Sequence, residues 1–148
     1  MVVQRPSAVT DTGRDSMTAA ELFRNVWDAF TQGRMRDLAV ALHPEVEWRP
    51  SLGGEVFRGP EDLDRWLEYQ RRAWQSMTIV YEDMREVADD CVIAFGRLTA
   101  FDYGGEKAID ADVAWVAEFR DDLLLRAASF VNRDDALRYI ASRREAIV

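Results

Sequence analysis

Few side chains in this sequence combine a reactive type with a useful spacing. Cys91 is the single cysteine and His43 the single histidine among the 148 residues, so the chain has neither an internal disulfide nor a cysteine and histidine cluster with metal-ligand spacing. Cys91 has no basic neighbour in the sequence to activate a thiolate. His43 directly precedes Pro44, which favours a loop or capping role over that of a general base. We therefore expect no metal ion and no cofactor.

Asp83 and Tyr81 form the strongest catalytic hypothesis. Two-residue turns at 89–90 and 104–105 would pair the flanking strands so that Tyr81 and Asp83 face inward, with Asp83 opposite Gly96. A carboxyl group among apolar side chains can act as a general acid or base near neutral pH, because burial disfavours its charged form. The alternative is that Asp83 lies at the solvated end of its strand and is an ordinary surface charge.

The same register places a large indole where a ligand would lie. Trp115 faces inward opposite Ala94, so a large ring stands beside a small residue. This arrangement suits either a tight core or a space shaped for a flat ligand. On the outer face the register pairs Arg97 with Asp112, which is a sensible exposed ion pair.

The composition is that of an acidic chain of one domain's length. Asp and Glu number 27 against 19 Lys and Arg, and the resulting net charge of −8 repels a phosphate backbone. Uninterrupted apolar runs are far shorter than the about 20 residues that span a membrane. We therefore expect neither nucleic acid nor a membrane as a partner. The lone cysteine fits a reducing cytoplasm.

The order of predicted elements is helices first and a strand meander afterwards. Residues 1–16 are predicted to be a disordered polar tail and residues 17–148 the folded domain, with Met17 as a second candidate start. Predicted helices run from the capping box Thr18-x-x-Glu21 to Gly33, from about Met35 to Leu42, from Gly59-Pro60 onward and over about 134–145; predicted strands cover 46–49, 77–88, 91–103, 106–119 and 123–131. This order predicts an α+β fold in which helices cover one face of an antiparallel sheet.

Several segments, taken in order, are more specific than any one of them. They are Phe30-Thr31-Gln32-Gly33, His43-Pro44-Glu45-Val46-Glu47-Trp48, Phe57-Arg58-Gly59, Glu118-Phe119-Arg120-Asp121-Asp122 and Ser129-Phe130-Val131-Asn132-Arg133-Asp134-Asp135-Ala136-Leu137. Together they resemble the SnoaL-like branch of the nuclear transport factor 2-like superfamily over residues 18–141. The sequence departs from the family pattern at Arg34, Asp122 and Asn132, where aspartate, glycine and aspartate are usual.

The resemblance implies a cone-shaped domain. In this family a strongly curved antiparallel sheet wraps around N-terminal helices and leaves a conical pocket. The resemblance also implies a homodimer formed through the outer face of the sheet. In the register above, the apolar residues on that face are Ile93, Phe95, Ala114 and Val116.

The resemblance further identifies the positions at which related enzymes keep their acids and bases. The three positions used by steroid isomerases hold Val26, Trp48 and Trp115 here, and the position of the water-activating aspartate of epoxide hydrolases holds Ser129. Neither chemistry is therefore expected, because the required proton-transfer groups are missing from those positions. We expect these four residues to line the pocket, with Tyr69 at its mouth.

Three functions stay open on the sequence alone. The first is a pocket protein that binds a small, largely apolar, ring-containing metabolite. The second is a cofactor-independent isomerase, cyclase or hydrolase that uses Asp83 and Tyr81. The third is a structural dimer module whose interior is filled by its own aromatic side chains, which would leave no cavity larger than a few water molecules.

Overall fold

The computed structural model describes residues 17–50 and 55–147, so the predicted tail at 1–16 and residues 51–54 lie outside the described residues. The described elements are α1 (Ala19–Thr31), α2 (Met35–Val40), β1 (Leu42–Arg49), β2 (Phe57–Arg58), α3 (Gly59–Ala73), β3 (Ser76–Ala88), β4 (Cys91–Phe101), β5 (Lys107–Arg120), β6 (Leu123–Phe130) and α4 (Arg133–Ile147). This is the predicted α+β fold. Within the described ranges, no helix is long and apolar enough to cross a membrane.

Helix α1 begins at the predicted capping box. The Thr18 hydroxyl accepts a hydrogen bond from the backbone N–H of Glu21 at 3.1 Å, and the Glu21 carboxylate accepts one from the backbone N–H of Thr18 at 2.8 Å. The helix buries Phe23 and Trp27 on the side that faces the sheet. Gly33 follows the helix with a φ of 73°, a left-handed conformation that glycine adopts without strain. Both predicted boundaries of this helix are therefore confirmed.

Strand β1 begins earlier than predicted and includes Pro44. Helix α2 ends at Val40, and the strand starts at Leu42 rather than at the predicted Val46. The pairing of β1 with β6 is irregular between Leu42 and Glu47. Proline is tolerated in such a stretch, because a regular ladder that needs every backbone N–H is absent there.

The six strands form one sheet in the order β2-β1-β6-β5-β4-β3. Consecutive strands from β3 to β6 pair antiparallel, as predicted, and β1 pairs antiparallel with β2. β1 and β6 instead pair in parallel, with Trp48 opposite Ala127, which the sequence interpretation did not include. The parallel pairing places the first long strand beside the last one, and it extends the curved sheet around the helices.

The register between β4 and β5 is the predicted one. Ala94 lies opposite Trp115, and Arg97 lies opposite Asp112. The guanidinium of Arg97 and the carboxylate of Asp112 form the expected exposed ion pair at 3.1 Å. The connection is longer than the predicted two-residue turn, since β4 and β5 leave residues 102–106 between them. The loop is longer than predicted, but Trp115 still lies on the predicted face of the sheet.

Two bulges in β3 make the predicted register wrong at Asp83. The pairing shifts once between Glu86 and Ala88, which places Asp83 opposite Phe95, and again between Tyr81 and Asp83, which places Tyr81 opposite Gly96. Gly96 accommodates the bulge beside Tyr81, because a Cβ atom there would lie only 2.6 Å from the backbone carbonyl oxygen of Val80. Opposite residues share a face, so Asp83 turns to the outer face with Phe95 instead of inward.

The two faces of the sheet are covered by different helices. The inner face packs against α1 and α3, as predicted. Helix α4 lies on the outer face, where Ala136 and Ile140 join the apolar cluster of β4 and β5. The four residues predicted to form a dimer interface are on that face and at most 3% exposed: Ile93, Phe95, Ala114 and Val116. The chain's own C-terminal helix therefore covers the surface on which the dimer prediction rested.

Candidate functional site

A cavity of about 670 Å³ lies between the inner face of the sheet and helices α1 and α3, and we call it the inner cavity. The five residues predicted to bind a ligand all line it: Val26, Trp48, Tyr69, Trp115 and Ser129. One water molecule takes about 30 Å³ of liquid volume, so this space is far larger than a few waters. The hypothesis of an interior filled by its own aromatic side chains is therefore wrong.

Trp48 belongs to an aromatic cluster in the cavity wall. Its indole meets Trp66 edge to face at 5.2 Å between ring centroids, and it meets Trp27 in the same way at 6.4 Å. Trp66 in turn stacks on Phe30 at 5.6 Å and lies 6.4 Å from Phe57. Aromatic pairs of this kind contribute about 0.5–1.5 kcal/mol each beyond the burial of their area. The cluster therefore holds one side of the cavity in a fixed shape.

Trp66 is a wall residue whose role the sequence interpretation missed. In the sequence, Leu63, Trp66 and Leu67 recur at helical spacing, which predicts only that the three side chains share the buried face of α3. In the structure Trp66 is half-buried and lines the inner cavity together with Leu63 and Leu67 from the same helix. The helical spacing of the three residues was a correct signal for the shared face. It could not indicate that the space opposite that face is empty.

Polar groups are sparse in the wall of the inner cavity. Glu55 and Arg65 are exposed, Tyr69 is 67% exposed, and Ser129 and Gln70 are half-buried. No charged side chain is buried in the part of the chain whose side chains are described. Nor does that part contain a group of three or more His, Cys, Asp or Glu residues that could hold a metal ion. The cavity thus offers apolar contact inside and hydrogen bonds at its edge.

Tyr81 faces inward but is not among the residues that line the inner cavity. Its ring packs against Phe23 at 5.8 Å and Trp115 at 6.3 Å, and its buried hydroxyl has no hydrogen-bond partner among the described residues. Burial raises the pKa of Tyr81 well above its ordinary value, and the negative charge of Asp28 raises it further. The phenol is therefore protonated at neutral pH and cannot serve as a general base there.

Replacing Tyr81 by phenylalanine is expected to raise the free energy of unfolding by about 1 kcal/mol at neutral pH, because a buried hydroxyl is removed and no partner is left unpaired. Above a pH of about 10 the unfolded tyrosine ionises while the folded one stays protonated. The parent protein therefore loses stability as the pH rises from about 10 toward the raised pKa of Tyr81, and the variant loses less. Urea unfolding of both proteins across this range measures the difference.

Tyr139 provides an internal control for this comparison. Burial also raises the pKa of Tyr139, and this residue is present in both proteins, so its contribution cancels. An equal alkaline loss of stability in the parent and the variant would contradict the burial of the Tyr81 hydroxyl.

Asp83 lies away from the inner cavity, on the outer face of the sheet. Its carboxylate forms an ion pair with Arg85 at 2.8 Å, and its side chain is 38% exposed. The structure therefore does not bring Asp83 and Tyr81 together at one inward-facing site. The cause is the pair of bulges in β3, since the residues between them, Asp83 to Glu86, lie on the face opposite to the predicted one.

The fold and the site together define a class of protein. It is a conical α+β domain with an aromatic cavity between its sheet and its helices. The SnoaL-like domain family matches residues 23–127, which is most of the folded part. The chain belongs to this family, as the ordered segments in its sequence predicted. The curated proteins contain no match to it.

Three solved structures have the same fold at low sequence identity. A protein of unknown function from Burkholderia pseudomallei, described as NTF2-like, has a TM-score of 0.69 and 15% identity, over 83% of this chain and 97% of its own. RV0760c from Mycobacterium tuberculosis, in complex with estradiol-17beta-hemisuccinate, has a TM-score of 0.69 and 13% identity, over 80% and 97%. A putative SnoaL-like polyketide cyclase from Jannaschia has a TM-score of 0.66 and 16% identity, over 84% and 93%.

Proposed function

We propose that this protein binds a small, largely apolar, ring-containing metabolite in the inner cavity. The observation that supports the proposal most strongly is the size and lining of that cavity. Its volume of about 670 Å³ falls within the about 300–1,000 Å³ of typical small-molecule sites. Such sites are lined mainly by apolar and aromatic side chains with a few polar groups that fix orientation.

The lining favours a flat ring system over a flexible chain. Trp48 and Trp66 present ring edges and faces at fixed angles, and Trp115 and Val113 line the cavity from β5. Aromatic rings of a ligand pack favourably in offset or edge-to-face contact with such side chains. Ser129 and Gln70 could then accept or donate a hydrogen bond to one polar substituent of the ring.

The related structures support the ring class of the ligand and nothing finer. One of them holds estradiol-17beta-hemisuccinate, a ring compound, and another is described as a putative polyketide cyclase. Both are below 20% identity to this chain, so they share its fold and give an example of a ring ligand in that fold.

Two features support binding over turnover. Val26, Trp48 and Trp115 occupy the positions at which the resembling isomerases keep proton-transfer and oxyanion groups, and none of the three has such a group. An enzyme that used Asp83 would need it at the cavity, whereas its carboxylate pairs with Arg85 on the outer face. We therefore propose a binding role and do not favour the isomerase, cyclase or hydrolase alternative.

A cytoplasmic location and a homodimer are part of the same proposal, as expectations from the sequence. The location rests on the absence of a second cysteine in the 148 residues. The homodimer is expected from the family resemblance alone. The apolar outer face no longer supports it, because helix α4 already covers that face within one chain.

Native mass spectrometry of protein purified gently from its own source tests the proposal directly. We expect a bound small molecule, and we expect the recombinant protein without it to bind the ring probe 1-pyrenebutanol. In the Ala127→Leu variant the new side chain occupies part of the cavity, since Ala127 lies in its wall and is 3% exposed. Probe affinity should fall about tenfold or more, while the free energy of unfolding should fall by about 1–3 kcal/mol, which leaves the variant folded.

Ala141→Leu is the matched control, because Ala141 is exposed on α4. It adds the same atoms outside the cavity and should leave probe affinity unchanged. The proposal fails when neither a natural ligand nor the probe binds, or when Ala127→Leu binds the probe as tightly as the parent protein.

A further inference from the structure

A second cavity of about 570 Å³ adjoins the inner cavity at the C-terminal end of α3, and we call it the outer groove. It is bounded by the ends of α1 and α3, by the start of β3 and by Tyr103 from the loop between β4 and β5. The Tyr103 hydroxyl donates a hydrogen bond to the backbone carbonyl of Arg71 at 2.6 Å. This bond ties the loop to α3 and fixes one side of the groove.

The two cavities share part of their lining. Phe30, Gln70, Trp74 and Met77 line both of them, and all four are half-buried. The indole N–H of Trp74 donates to the side-chain oxygen of Gln70 at 2.9 Å, a single hydrogen bond between neutral groups. Such a bond makes a small net contribution to stability. A substituent on a ring in the inner cavity therefore needs to displace little in order to reach the outer groove.

The charges in the outer groove are positive on balance, although the protein is acidic. The charged residues that line it are Glu68, Arg71 and Arg72. Both guanidiniums pair with the single carboxylate, at 2.9 and 3.6 Å. The C-terminal end of α3 adds about half an elementary negative charge, so a positive surplus remains.

We propose that the ligand has two parts, a ring system in the inner cavity and an anionic substituent, a carboxylate, in the outer groove against Arg71 and Arg72. This inference rests on the proposed function and specifies its ligand class. Exposed pairs between arginine and glutamate are weak, so a ligand carboxylate can exchange with Glu68 at one guanidinium. A planar guanidinium also matches a carboxylate with two parallel hydrogen bonds. Contacts of the ring system in the inner cavity provide most of the binding affinity. The outer groove favours ligands that have a negative charge.

Two probes with the same ring and the same tail length test the inference. 1-Pyrenebutyrate ends in a carboxylate and 1-pyrenebutanol in a neutral hydroxyl. We expect the full-length protein to bind the butyrate up to about fivefold more tightly, which is the upper end of the range for one exposed charge pair. The preference should shrink at high salt, because salt screens exposed charges and leaves apolar contact unaffected or stronger.

The Arg71→Gln/Arg72→Gln double variant should abolish the preference for the butyrate and leave pyrenebutanol affinity unchanged. Arg138→Gln is the matched control, since Arg138 forms an equivalent ion pair with the residue three positions earlier, Asp135, on α4. It should keep the preference. Equal binding of both probes to the parent protein would overturn the inference and leave the proposed function standing. Failure of both probes to bind would overturn the proposed function and the inference with it.

Discussion

Replacing Trp115 by alanine is expected to lower the free energy of unfolding by about 3–5 kcal/mol. Trp115 is 4% exposed, and its ring stands so close to Gly96 that a Cβ atom there would lie 3.3 Å from it. It also packs edge to face on Tyr81 at 6.3 Å. Truncation leaves a void beside a sheet whose strands are fixed by hydrogen bonds on both sides, so little can move in to fill it. Urea unfolding followed by circular dichroism measures the loss.

The same substitution should enlarge the inner cavity and remove one of its flat walls, so 1-pyrenebutanol affinity should fall as well. A domain of this size is stable by about 5–15 kcal/mol, which allows a folded population for the binding measurement. Trp115→Phe keeps a ring at the position and should lose less than half as much stability. A loss below about 1 kcal/mol for Trp115→Ala would show that the indole is not packed as described.

Removing α4 by ending the chain at Asn132 is expected to make the protein form larger assemblies than the full-length protein does. Ala136 is 0% exposed and Ile140 9% exposed, and both lie against the apolar cluster that includes Ile93 and Phe95. Without the helix this part of the outer face becomes an exposed apolar patch, a feature that marks association surfaces and aggregation sites. Sedimentation velocity at micromolar concentration should show larger species for the shortened chain than for the parent protein.

Ala136→Asp gives the same test at full length. The new carboxylate would be buried without a partner, which is strongly unfavourable, so α4 should leave the sheet. Ala141→Asp, on the exposed side of the same helix, should behave like the parent protein. Identical sedimentation of the parent protein, the shortened chain and Ala136→Asp would show that α4 does not protect this face.

The sequence predicted the parts of the fold that depend on local signals. The capping box at Thr18, the helix opened by Gly59-Pro60 and the four long strands of the meander are local patterns, and the structure confirms them. The face of Trp115 was also predictable, because the register between β4 and β5 runs unshifted from Cys91 to Ala100. Local signals therefore sufficed for the wall that holds Trp115.

The parts that the sequence did not predict depend on contacts between distant residues. The two bulges on either side of Asp83 depend on the pairing of β3 with β4, where one of them fits against Gly96, and neither strand alone contains a signal for the extra residues. The parallel pairing of Trp48 with Ala127 joins segments from opposite ends of the domain. The position of α4 is similar, since its sequence is compatible with either face of the sheet. The empty space opposite Trp66 is a property of the assembled fold as a whole.

The parallel pairing of β1 with β6 also sets an order of events during folding. The hairpins from β3 to β6 join neighbours in sequence. The pairing of Trp48 with Ala127 can form only after β6 has been synthesised, late in the chain. Closing so long a loop is slow, because its entropy must be lost before the new contacts form. We therefore expect the meander to form first and the Trp48 side of the ligand site to close last. Until then, the aromatic residues of the first helices and β1 remain accessible to chaperones.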